Sequence, residues 1–205
     1  WAERGLAHLD GIDDPAALAL GRILLGAGGQ DGGQSSNEAE GHLLAAARLA
    51  REHDLPRVLA QSQFELGNLR ARQGELAAAR AAYRDAIQLA RAADEPLLEV
   101  LGHNNAAYHA LLAGDLPDAR AHRDAGLALA ERLDLAAARQ WLFSTAGEIE
   151  LAEGGWDAAE GWFRTALAEA ERQDNLDQVA NSRANLARVE RGRGRLREAG
   201  LLLAA

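Results

Sequence analysis

The chain is 205 residues long, enough for one large domain or an elongated array, and carries a formal charge of −9 with 22 basic residues, all of them Arg. The absence of Cys rules out disulfides, thiolate chemistry and Cys-based zinc sites. The absence of Lys rules out Schiff bases and the phosphate-binding lysine of a P-loop. The acidic balance argues against a nucleic-acid-binding surface. Ala, Leu, Arg and Glu, all good helix formers, dominate, and only 4% of residues are aromatic, so the composition leans all-α. No apolar run reaches the roughly 18–20 residues of a membrane span, so no membrane partner is expected and a cytoplasmic location is. A chain that opens on Trp1 and contains no Met reads as an excised piece of something longer. Its Arg and Ala richness without Lys looks like a high-GC bacterial coding bias.

In chain order, a leading helix is expected over roughly residues 1–10, followed by five helix pairs. They run at about 15–28 with 36–53, 55–73 with 75–93, 95–113 with 115–133, 135–153 with 155–173, and 175–193 with 195–205. The stretch GGQDGGQSS at Gly28–Ser36 reads as a flexible loop inside the first pair. The pairs recur with a period of 40: repeats of about 14–53, 54–93, 94–133, 134–173 and 174–205 fill the chain 1–205 as a single repeat domain.

The register shows in columns. Asp14, Asp54, Asp94, Asp134 and Asp174 form one, just ahead of an apolar-periodic stretch, where a carboxylate is expected to act as a helix N-cap. Pro15, Pro56 and Pro96 follow within two residues, in the first turn, where a missing N–H costs little. Gly74, Gly114, Gly154 and Gly194, with Gln34 in the first repeat, mark where a left-handed C-cap is needed. Ala39, Ala79, Ala119, Ala159 and Ala199, with Ala50, Ala90, Ala130 and Ala170, supply small side chains for close helix approach. Apolar residues fill the spaces between: Leu43, Tyr83, Phe163 and Leu203 in one column, Ala47, Ile87, Leu127 and Leu167 in another. Repeat three departs from the pattern, with Arg123 in the column of Tyr83 and Phe163 and His109 in that of Leu69, Ile149 and Val189. A local polar pocket and an Arg that snorkels beside a hydrogen-bonded core His are the two readings, and the second is preferred.

These columns resemble the tetratricopeptide signature of a Leu-Gly pair, a Gly-acidic-aromatic turn, then Ala, an aromatic and Ala. The match is carried by Leu66-Gly67, Gly74-Glu75-Leu76, Ala79, Tyr83 and Ala86, by Gly114-Asp115-Leu116, Ala119 and Gly126, by Gly147, Gly154, Trp156, Ala159, Phe163 and Ala166, and by Leu186-Ala187, Gly194, Leu196 and Ala199. The resemblance implies an all-α, right-handed α-solenoid of stacked antiparallel helix pairs. The usual tetratricopeptide period is about 34 residues; a period of 40 is similar to the repeats of large bacterial multidomain signalling and transcription regulators. There the array is a docking or sensor arm for a protein or peptide segment, sometimes one from its own parent chain, as in multidomain ATPases, cyclases and kinases.

In such proteins the first helix of each pair lines a concave groove. Carrying this over by register selects Phe64, Asn68 and Arg72, then Asn104, Asn105 and Tyr108, then Trp141 and Glu148, then Asn185 and Arg188. The same stripes include Gln61, Glu65, Leu101, Leu112, Ser144, Thr145 and Asn181. An Asn amide donates and accepts at once, which suits the backbone of an extended peptide, and the aromatics offer apolar anchors. Trp156, Trp162 and Phe163 sit on second helices and are expected to pack between helices instead.

No catalytic or cofactor-binding constellation is read, so no enzyme activity is expected. His8, His42, His53, His103, His109 and His122 form no zinc spacing. The Gly26–Gly33 stretch lacks a preceding strand and a following Gly-Lys-Ser/Thr, and Asp10, Asp13 and Asp14 lack EF-hand spacing. Glu148 and Glu150, two residues apart on a helix, diverge. The Arg cluster Arg183, Arg188, Arg191, Arg193, Arg195 and Arg197 reads equally as a site for an acidic peptide or phosphate and as a solvated end of the array. A self-associating scaffold is a further, lesser reading.

Overall fold

The structure is a computed structural model that describes residues 13–28 and 35–204; the expected leading helix and most of the glycine-rich loop lie outside the described residues. Ten helices and no strand occur among the described residues: α1 Pro15–Gly28, α2 Ser36–Glu52, α3 Pro56–Arg72, α4 Leu76–Ala92, α5 Pro96–Leu112, α6 Leu116–Arg132, α7 Ala136–Ala152, α8 Trp156–Arg172, α9 Leu176–Gly192 and α10 Leu196–Ala204. From α2 to α9 every helix has 17 residues. From α3 onward three residues separate each helix from the next, so two helices and two turns fill the 40-residue period.

Both kinds of turn close in the same way. One residue takes a left-handed conformation, and the amide N–H after it reaches back to a carbonyl in the last helical turn, as in a Schellman motif. Within repeats the left-handed residue is Gly74, Gly114, Gly154 or Gly194, at φ 77–79°. Between repeats it is Asp54, Asp94, Asp134 or Asp174, at φ 50–54°. The closing bonds are alike, for example Glu75 N–H to Arg70 C=O at 2.9 Å and Leu55 N–H to Ala50 C=O at 2.8 Å.

The Asp column is therefore not, in the main, a column of N-caps. Four of its five members close the preceding helix, and Asp is selected there because its short polar side chain tolerates the left-handed region. The N-cap falls one residue later, on Leu55 and Leu135 without any side-chain bond and on Asn175, which accepts from the Gln178 amide at 3.2 Å. Only Asp14 caps as expected, its carboxylate accepting the Ala16 N–H at 2.9 Å. The prolines stand where they were placed: Pro15, Pro56 and Pro96 are each the first residue of a helix.

The helices group into two compact units, residues 1–109 and 110–205, which part within α5. In the first, Tyr83 is buried among Ala79, Ile87 and Ala106, with Phe64 against it. Leu43 packs with Ala39, Leu66 and Leu69. In the second, Phe163 lies fully buried with Ala159, Leu186 and Val189. Glycines make room for both rings: a Cβ at Gly67 would sit 2.6 Å from Tyr83 Cδ1, and one at Gly147 would sit 2.6 Å from Phe163 Cζ. The Ala columns are buried throughout, whereas Leu203, expected in the ring column, is exposed.

Arg123 does not snorkel out. Its side chain is 12% exposed, and its guanidinium pairs with Asp124 at 2.8 Å and with the half-buried Glu150 at 3.2 Å. His109 behaves as the bland reading holds. Its Nδ1 lies 3.0 Å from the Asn105 carbonyl, its ring meets Tyr83 edge-on, and burial pushes its pKa down.

Candidate peptide-binding faces

The residues selected by register divide between the two units. In the first, α3 and α5 bring Asn68 and Asn105 together on either side of Tyr83 from α4. Asn68 Oδ1 accepts from both the Tyr83 hydroxyl and Asn105 Nδ2, each at 2.9 Å, while Asn68 Nδ2 donates to Glu65 at 3.0 Å. Asn104 Nδ2 in turn donates to Asn105 Oδ1 at 3.2 Å. Burial pushes the Tyr83 hydroxyl up to about 12, which keeps it a donor at neutral pH. The amides thus hold one another in fixed orientations. Phe64 tilts against Tyr83 with ring centroids 6.0 Å apart. Tyr108 stacks edge-on against His109 at 5.5 Å and is 41% exposed. Arg72 is exposed in the last turn of α3.

In the second unit, Arg188 on α9 pairs with Glu148 on α7, one full period away, and donates to Asn185 Oδ1 at 3.0 Å. Asn185 is itself buried, as are Ser144 and Thr145, so these three support the face from beneath instead of presenting it. Ser144 spends its hydroxyl on the Gln140 carbonyl at 3.2 Å. Trp141 stands 42% exposed on the same face of α7 as Glu148 by helical register.

Glu148 and Arg188 also line a pocket of about 450 Å³, with Leu111, Leu112, Leu151, Ala152, Trp156, Arg191 and Gly192. Trp156 was expected to pack between helices. It does so on one side only: its ring lies so close over Gly192 that a Cβ there would overlap it, and the residue remains 39% exposed. The signal for this pair was in the columns. Trp156 stands where Leu76, Leu116 and Leu196 stand in other repeats, and Gly192 where Arg72, Leu112 and Ala152 stand. A larger residue in one column meets the smallest possible one in another.

The Arg cluster largely resolves into internal pairs. Arg193 pairs with Asp157 and Glu160 and, at 3.4 Å, with Glu190; Arg195 reaches Glu190 at 2.8 Å; Arg183 reaches Glu171 at 3.5 Å. The Arg193 and Arg164 guanidiniums hold the Glu160 carboxyl below its usual range. No group of three or more His, Asp or Glu that could hold a metal occurs among the described residues. No helix among them is long and apolar enough to cross a membrane.

Stacked pairs of equal helices, a small-residue lattice that seats the rings of Tyr83 and Phe163, and exposed aromatics on the first helices define a tetratricopeptide-type repeat protein. The chain belongs to the MalT-like TPR region family, whose model matches residues 2–205. Among solved structures it is similar to BtubC (BKLC) from P. vanneervenii, at 20% identity and a TM-score of 0.76, covering 99% of this chain and 84% of that one. The Rap conjugation gene regulator of plasmid pLS20, in complex with the Phr* peptide, matches at 14% identity and a TM-score of 0.75, covering 94% of this chain and 55% of that one. A putative kinesin light chain from Podosopora anserina with TPR-like repeats matches at 16% identity and a TM-score of 0.68, covering 94% of each. At these identities the likeness is one of fold. No curated protein sequence matches the chain.

Proposed function

We propose that this chain is a protein-binding module that receives an extended segment of a partner on its first helices, as a docking or sensor arm of a bacterial regulatory protein, and that it catalyses no reaction of its own. The observation that carries this reading is the pairing of uncovered aromatics with pre-oriented polar groups. Tyr108 is 41% exposed on α5, whose Asn104 and Asn105 amides are already fixed by one another and by Asn68, and Trp141 is 42% exposed on α7, whose Glu148 is already paired with Arg188. Amides held in place lose little freedom when they meet a peptide backbone, and half-exposed rings gain area on burial. The MalT-like family and the peptide complex of a regulator with the same fold support the reading.

The test compares capture from a lysate of the encoding organism by wild type and by an Asn105→Ala, Tyr108→Ala, Trp141→Ala variant of equal helicity. A protein held by wild type and lost by the variant supports the reading, and peptide mapping then tells an extended segment from a folded surface. Equal capture by both refutes the face assignment. A guest that turns out to be a segment of the parent polypeptide makes the recognition intramolecular.

A further inference from the structure

We propose that the pocket over Trp156 is a second docking site, distinct from the amide-lined face, for a partner segment with a bulky apolar side chain next to an acidic one. This rests on the reading of the chain as a protein-binding module. The pocket lies at the ends of the first helices, in the last turns of α7 and α9, and reaches under the first residue of α8. Its volume of about 450 Å³ exceeds that of one side chain and falls within the roughly 300–1,000 Å³ of ligand pockets.

Two features name the guest. The walls are apolar and uncovered: Trp156 is 39% and Leu112 53% exposed, beside Leu151 and Ala152. A Trp that only filled space between helices would be covered on both faces; this one is backed by Gly192 and open on the other. The rim is cationic. Arg188 is balanced by Glu148, while Arg191 is exposed and takes part in no ion pair among the described residues. The lining therefore carries one positive charge in excess, within a chain whose net charge is −9. A guanidinium beside an apolar wall suits a carboxylate carried next to an aliphatic or aromatic side chain, because a charge-assisted bidentate bond fixes the one while burial holds the other. One net positive charge, with Arg188 paired to Glu148 and Arg193 and Arg195 paired to acidic side chains, is a poor match for a polyphosphate or nucleic-acid backbone, which would need several unpaired cations.

The experiment selects phage-displayed random heptapeptides on the chain, then measures the enriched sequences as amidated synthetic peptides by fluorescence anisotropy. Measurements are made on wild type, Ala152→Trp, Arg191→Glu and the double variant Asn105→Ala, Tyr108→Ala. Ala152 is exposed, so a Trp there fills the pocket without entering the core. Enrichment of a large apolar residue within two positions of Asp or Glu is expected. Ala152→Trp should weaken those peptides at least about tenfold, and Arg191→Glu should reverse the preference from acidic to basic at the neighbouring position. Enriched peptides that bind Ala152→Trp as tightly as wild type, but fail on Asn105→Ala, Tyr108→Ala, would overturn the pocket and leave the protein-binding reading standing. Indifference to Arg191→Glu would overturn the acidic guest. A sedimenting dimer that Ala152→Trp disperses would assign the pocket to a second copy and overturn the proposal. A library with no enrichment on any variant would sink both this site and the reading beneath it.

Discussion

Replacing Gly147 by Ala should destabilise the protein, although Ala is the better helix former. Gly147 lies inside α7, and the added Cβ would stand 2.6 Å from Phe163 Cζ, well inside contact distance, with a ring that is fully buried and cannot swing away. Overpacking of a tight core costs about 1–3 kcal/mol. The helix-propensity gain of Gly to Ala offsets about 1 kcal/mol of that. A net loss of up to about 2 kcal/mol follows. Gly161, in α8, provides the control: it is exposed and a Cβ there meets nothing within 4 Å, so Gly161→Ala should gain up to about 1 kcal/mol. Urea unfolding followed by far-UV circular dichroism reads both as shifts of midpoint at unchanged slope. Pairing Gly147→Ala with Phe163→Leu completes the argument, because a smaller partner should shrink the penalty of the added methyl in a double-mutant cycle. If Gly147→Ala is as stable as Gly161→Ala, or if Phe163→Leu leaves its cost untouched, the ring-over-glycine account of this fold is wrong.

The turns make a second prediction. Asp94→Gly should stabilise by several tenths of a kcal/mol to about 1 kcal/mol, and Asp94→Val should destabilise by more than 1 kcal/mol, because φ is +54° there; equal stabilities in thermal melts would refute the left-handed role. Tyr83 gives a pH dependence. Its folded pKa is raised to about 12 against about 10 in the unfolded chain, so its contribution is intact below pH 10 and declines as pH climbs towards 12, by about 2–3 kcal/mol in all. Absorbance titration at the tyrosinate band should resolve one late-ionising Tyr, and Tyr83→Phe should abolish that step. Arg123→Ala should cost about 1–3 kcal/mol by stranding the half-buried Glu150, and Glu150→Gln in the same chain should return part of it; additive losses in urea melts would mean the two do not interact.

The repeat was open to reading because the columns answer steric demands: Gly where φ is positive, Ala where helices touch, a bulky side chain such as Tyr83 or Phe163 in the space between. The Asp column misled for a physical reason. With only three residues between helices, the residue that closes one helix stands next to the one that caps the following helix, and Asp suits both positions. Leu55 and Leu135, which hold the N-cap without a capping side chain, carry no sequence signal at all. On the candidate faces, Asn68, Asn105, Glu148 and Arg188 could be chosen by register. That the first pair bond to each other beside the Tyr83 hydroxyl, and that the second line a pocket, depends on side chains brought from neighbouring helices. Trp156 and Gly192 were each visible in their columns. Their fit was not, since it joins residues 36 apart that stand in different columns.

The turns also bear on how such a chain can change in length. From Asp54 onward each junction is sealed by main-chain bonds around one left-handed residue, so a cut at Asp54 and another at Asp94 leave chemically equivalent ends. A whole 40-residue cassette can then be duplicated or lost with each seam re-forming unaided. A single inserted residue within a helix would turn every later side chain by about 100° and take the rings off their glycines. Gene-level growth of this protein is therefore restricted to integer steps, while the outward-facing letters within each step are left to drift towards new partners.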